Sequence, residues 1–169
     1  LEAADRERFG PLLRTVAPVK FTENLRGARW SKLILNSMVS ALGTLNGSPL
    51  GPVVAYRPAR RLALQIITES VRVAQAEGVT LEMVSGTLNL ESLTLTATDY
   101  ERGSPALFSK HAILRAVGFK YRHLYSSLLR AIEAGKPPAI DFLNGEIVRY
   151  AEKHALDAPL NRAICARVH

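Results

Sequence analysis

The chain has 169 residues, 47% of them apolar and 22% charged, with one cysteine and a formal net charge of +7. This length and apolar fraction suffice for one domain with its own core, and a lone cysteine excludes an internal disulfide and suits a reducing cytoplasm. The basic balance admits an anionic partner, but only Arg57, Arg60 and Arg61 cluster tightly, without interleaved aromatics or a nucleic-acid signature. Nucleic acid is therefore not an expected partner; the remaining readings are a solvated basic face or a surface that meets an anionic dinucleotide.

The charged opening, Leu1 to Arg8, has no apolar signal-peptide run, so a cytoplasmic location is expected. Ala4 to Val16 reads as a short helix ending before Pro18, with a brief extended piece at Val19 to Phe21. From Ala28 to Leu45, Trp30, Leu33, Ile34, Met38, Ala41, Leu42 and Leu45 recur at helical spacing, and Asn46-Gly47 with Pro49 supplies a stop. Leu33 to Tyr56 carries no charge, yet its Asn, Ser and Pro content argues against a membrane span and for a buried helix followed by a turn. After a loop from Gly47 to Pro58, Ala59 to Glu77 is a second, amphipathic helix closed by Gly78.

Thr87 to Leu95 alternates like a strand, but no second strand exists for it to pair with, so short helices and loop are expected over Thr80 to Ser104. Ser109 to Ala134 reads as one helix bent near Gly118 and stopped by Gly135 and Pro137-Pro138. Ala139 to His154 is a further helix. Pro159 opens a last one over Leu160 to Arg167, in which Cys165 reads as a small buried hydrophobe.

Lys32, Asn36 and Ser40 stand four residues apart and rise along one side of the first long helix, whose other sides are almost wholly apolar. Buried polar groups without partners cost about 1–3 kcal/mol each. The row is thus expected to face a polar cleft, a ligand or another polar element, unless it is a plain solvent-facing stripe. No metal site is expected.

Four stretches occur in order: Trp30-Ser31-Lys32-Leu33-Ile34-Leu35-Asn36, Ser126-Ser127-Leu128-Leu129, Ile140-Asp141-Phe142-Leu143-Asn144-Gly145 and Ala158-Pro159-Leu160-Asn161. Together they resemble the C-terminal domain of the ketopantoate reductase family, over essentially the whole chain. The resemblance implies an all-α bundle like the C-terminal domain of 6-phosphogluconate dehydrogenase, packed in the family against an N-terminal Rossmann domain. No G-x-G-x-x-G fingerprint occurs here, so that domain is expected to be absent from this chain. Residues 1–27 would be its tail and linker, and residues 28–169 the helical domain.

The resemblance also implies a function: NADPH-dependent reduction of a small 2-oxo acid, as in pantothenate biosynthesis, by a homodimeric parent enzyme. NADPH would be bound mainly by the Rossmann domain, leaving the isolated chain inactive. Lys32 matches the family's catalytic lysine beside the nicotinamide and the substrate ketone, and so also contacts the cofactor. Asn36 and Ser127 match substrate-binding residues, and Ser40 occupies the position of a second substrate asparagine. Further departures are Ala131 in place of an aspartate and Ala139 in place of a substrate-binding glutamate. Losing a hydrogen bond to a charged group weakens recognition by roughly one to two powers of ten. The alternative reading is a non-catalytic binding or dimerisation module descended from this family.

Overall fold

The computed structural model describes residues 3–101 and 104–169. Leu1 and Glu2 of the charged opening, and Arg102 and Gly103 of the segment read as short helices and loop, lie outside the described residues. The uncharged run identified above forms most of α2 (Leu25–Asn46). The Asn24 side chain caps its start by accepting the Gly27 amide at 2.9 Å, and Gly47, with φ of 61°, takes the left-handed conformation that ends it. Trp30, Ile34, Met38, Ala41 and Leu42 are buried in one core with Ala63, Leu64, Ile66, Ile67, Val71 and Ala74 of α4 (Arg57–Ala76). Each fully buried Ile or Leu contributes about 1.5–3 kcal/mol, so this pair of faces dominates the energetics. Among the described residues no helix is long and apolar enough to cross a membrane.

The first helix, α1 (Ala3–Arg14), leaves Phe9, Leu12 and Leu13 exposed. The loop expected after Gly47 contains a helix, α3 (Leu50–Ala55), whose Leu50, Val53 and Val54 are buried. Six residues are too few to display a periodicity. Between residues 80 and 104 the chain forms 3-10 turns at Glu91–Leu93 and Ala97–Tyr100, plus one isolated antiparallel bridge between Val84 and Leu88. That bridge closes a tight turn through Ser85 and Gly86, both at positive φ, and among the described residues no strand forms.

The single bent helix expected over Ser109 to Ala134 is instead two: α5 (Pro105–Lys120) and α6 (Ser127–Glu133). Two features divide them, one set by a distant partner and one local. The Leu124 carbonyl is drawn to the Leu50 amide at 2.9 Å, and the Ser126 hydroxyl, accepting from the Leu129 amide, starts a new helix. Gly118 has a different role from the bend assigned to it. A Cβ there would lie 1.8 Å from Val54 Cγ2, so glycine is what lets α5 seat on α3.

The helix expected from Ala139 starts later, because Leu143 has non-helical backbone angles. Ala139–Phe142 is a 3-10 turn and α7 spans Asn144–Lys153. The last helix, α8 (Pro159–Val168), falls as expected. Its Cys165 is half-buried rather than fully enclosed, and burial, with Asp141 nearby, pushes the thiol above its usual range.

Two polar nodes tie these helices together. Asn144 donates to Asn161 Oδ1 at 2.9 Å, and Asn161 donates to Glu69 Oε2 at 2.8 Å. Glu69 also accepts the Leu160 and Asn161 amides at 2.9 and 3.0 Å, supplying the cap that α8 lacks in its own sequence. At the end of α4, Glu77 gathers Arg26 at 3.0 Å, Lys153 at 2.8 Å and His154 at 2.5 Å. Hydrogen bonds from Lys153 and then His154 hold its carboxyl at about 2.

A depressed carboxylate pKa stabilises the fold fully above the unfolded value and loses that contribution as pH falls through the folded one. Glu77 should therefore contribute at neutral pH and lose its contribution as pH drops from about 4.5 towards 2. Acid titration followed by circular dichroism should show a shallower stability loss over that window in Glu77→Gln than in the wild type; identical slopes would contradict the assignment. Gly118→Ala should cost about 1–3 kcal/mol by overpacking. In urea unfolding its loss should be partly offset when Val54→Ala is added, whereas strictly additive losses would show that the two positions do not meet.

Candidate functional site

The row on α2 meets three different environments. Lys32 is exposed, Asn36 half-buried and Ser40 buried, over a span of roughly 12 Å at the helical rise of about 1.5 Å per residue. Among the described residues no carboxylate pairs with the Lys32 ammonium. One turn on, Asn36 lines a cavity of about 450 Å³. Leu35 and Val39 of α2, the turn at residues 84–88, and Ile113, Val117 and Tyr121 close around it. The wall is largely apolar, so the Asn36 carboxamide, the Ser85 and Thr87 hydroxyls and the Lys120 and Tyr121 side chains are the polar groups able to orient a guest.

At the far end of the row, Ser40 sits against the start of α6. Its carbonyl accepts from the Ser126 hydroxyl at 3.4 Å, and the same hydroxyl lies 3.1 Å from that of Thr44. Gly43 permits the approach, since a Cβ on it would stand 2.9 Å from Ser126 Cβ. Ser127, the first residue of α6, is exposed beside this junction. The fold thus joins Ser40 to the Ser126-Ser127 pair and leaves Lys32 at the opposite end of the row, with Asn36 between them.

Sequence reasoning missed the supports of this arrangement. The Ser31 hydroxyl donates to the Glu82 carbonyl at 2.7 Å and fixes the 80–84 segment against α2. Ser126 works as cap and anchor, whereas only its neighbour was singled out; the pairing of a cap-type residue with Gly43 across 83 positions has no local signal. Asn144 and Asn161, prominent in the motifs, are wholly buried and serve packing. Ala139 is exposed in its 3-10 turn and Ala131 is half-buried, and near the former the exposed Asp141 meets His169 at 3.1 Å. Among the described residues no group of His, Cys, Asp and Glu is arranged to hold a metal ion.

Comparison with known proteins bears on this geometry. The family model described as ketopantoate reductase PanE/ApbA C terminal matches residues 24–169. A 2-dehydropantoate 2-reductase of Pyrococcus horikoshii is 27% identical over 147 residues, covering 87% of this chain and 40% of that enzyme. The crystal structure of a PanE/ApbA family ketopantoate reductase from Ralstonia eutropha JMP134 superposes with a TM-score of 0.68 at 28% identity, over 90% of this chain and 43% of the other. D-mandelate dehydrogenase in complex with NADH shares the fold at a TM-score of 0.73 and 18% identity, covering 99% of this chain and 50% of its own. The chain spans half or less of the length of each.

Proposed function

The chain belongs to the ketopantoate reductase C-terminal family, and from that premise we propose that it is the substrate-side helical domain of an NADPH-dependent 2-oxo acid reductase. The observation that carries the reading is the α2 row: an exposed ammonium at Lys32, without a carboxylate partner among the described residues, one turn from a half-buried carboxamide that opens on a cavity. These residues fit a nicotinamide cofactor and a keto acid. When bound, the cofactor supplies the hydride for the carbonyl carbon. Lys32 Nζ stabilises the charge that grows on the ketone oxygen and delivers the proton that makes it a hydroxyl. Asn36 orients the substrate, and Ser127, with the position of Ser40 behind it, binds from the α6 side.

In this reading residues 1–27 connect to a nucleotide-binding Rossmann domain of the parent protein, which holds most of the NADPH, and the 169 residues alone do not turn over. The parent works in the cytoplasm as a homodimer, for which the exposed Phe119 of α5 offers apolar surface. Alanine at positions 131 and 139 favours a second reading, a binding or dimerisation module without chemistry.

Assays of the full-length parent separate these readings. Lys32→Ala should lower kcat roughly a hundredfold or more while leaving the circular dichroism spectrum unchanged; retention of most of the rate would defeat the catalytic assignment. A parent that binds NADPH but oxidises it with no 2-oxo acid would establish the module. Because Ala139 is exposed, Ala139→Glu should be tolerated by the fold and lower the KM for ketopantoate by about tenfold. An unchanged KM would point to a substrate without that hydrogen-bonding group.

A further inference from the structure

A second cavity, of about 870 Å³, lies between the start of α4, the 3-10 turn at Ala97–Tyr100 and the first half of α5. It shares no lining residue with the cavity at Asn36. Arg57, Arg60 and Arg61 enter it from one face of the first turns of α4, and His111 and Arg115 from α5. This is the cluster that the sequence left between a solvated face and an anion-meeting surface, and the structure shows it to be partly enclosed.

We propose that this cavity is a binding site for a phosphate-bearing small molecule, distinct from the α2 row and independent of the function assigned to it. Charge is the first argument. Among the described residues, none of Arg57, Arg60, Arg61 and Arg115 pairs with a carboxylate, whereas Arg26, Arg149 and Arg162 do. Two acids line the same cavity. Asp99 is committed to Lys110 at 2.5 Å and to the amide and hydroxyl of Thr96, leaving the exposed Glu101 as the one free counter-charge among the described lining residues.

Placement is the second argument. Three cations in the opening turns of a helix oppose its macrodipole, which favours anions there, and the first turn of α4 contains no acid. Arg60 is 8% exposed, and its Nη1 is fixed by the carbonyls of Val54 and Ala55 at 2.6 and 2.7 Å. Its Nε points to His111 Nδ1 at 3.4 Å, so the imidazole accepts there. Burial, then the charges of Arg60, Arg57 and Arg61, push His111 below its usual range; burial, then Arg115 and Arg57, lower Arg60. A bound anion would relieve this mutual repulsion.

Ligand class follows from shape and chemistry. Guanidinium forks match the oxygens of phosphate in paired hydrogen bonds, and several of them suit a multiply charged group. The space exceeds what a lone phosphate fills. Exposed Tyr100, whose ring lies 4.4 Å from the Arg61 guanidinium carbon, and exposed Phe108 give the remainder of the molecule a flat apolar wall.

Pyrophosphate titrated calorimetrically into the full chain tests the site. Saturable binding is expected, weakening about tenfold or more in Arg57→Ala and again in Arg61→Ala. Arg60 is left intact because it also supports α3. Arg167→Ala, which removes the same charge from α8, should leave the affinity unchanged within about twofold. Pyrophosphate should also raise the melting temperature of the wild type more than that of Arg57→Ala with Arg61→Ala. Absence of saturable binding, or an equal loss in Arg167→Ala, would overturn the proposal by reducing the cluster to diffuse charge.

Discussion

The burial of α2 against α4 is the constraint on which the other elements depend. An uncharged helical surface has to be covered on nearly all sides. Here α4 covers one side, α3 and α6 pack along its second half, and the last helices close over α4. Only a narrow polar row is left over, and its three members end up exposed, half-buried and buried because the covering elements stop at different heights along it. The candidate site thus lies along the least covered stripe of the longest described helix.

One chain of polar groups links α4, α7 and α8 inside this bundle, although Asn144 Oδ1 at its end has no partner. Glu69 is charged and half-buried, a placement that would be unfavourable alone. It accepts two backbone amides at the start of α8 and the Asn161 carboxamide, and Asn161 in turn accepts from Asn144. Removing one member would orphan a group on its direct neighbour, at about 1–3 kcal/mol for each orphaned group. This interdependence gives a physical reason for Asn144 and Asn161 to stand in the motifs, even though neither faces the cavity at Asn36.

Long elements with strong periodicity were legible from sequence. The α2 and α4 helices, the stop at Gly47 and the last helix opened by Pro159 follow from apolar spacing and from Gly and Pro placement, and the all-α class is what the family resemblance implied. The row Lys32, Asn36, Ser40 was equally visible, since it needs only helical arithmetic. Features set by distant partners were not visible. The break between α5 and α6 depends on Leu50 drawing in the Leu124 carbonyl, and the helix at Leu50 is itself too short to announce. Gly118 looked like a bend because glycine has two uses, flexibility and close approach, that sequence does not separate. The arginine cluster was visible as charge, but its enclosure required α5 to be placed across it.

The junction of α6 with α2 carries a mechanical consequence. Ser126 spends one hydroxyl on capping α6 and on reaching Ser40 and Thr44, in a gap that only Gly43 leaves open. The hydroxyl that caps the first turn of α6 is thus also its polar tie to α2. The wall that presents Ser127 is therefore held at its distance from the α2 row by the very group that begins its helix, with Leu128 buried in the core behind it.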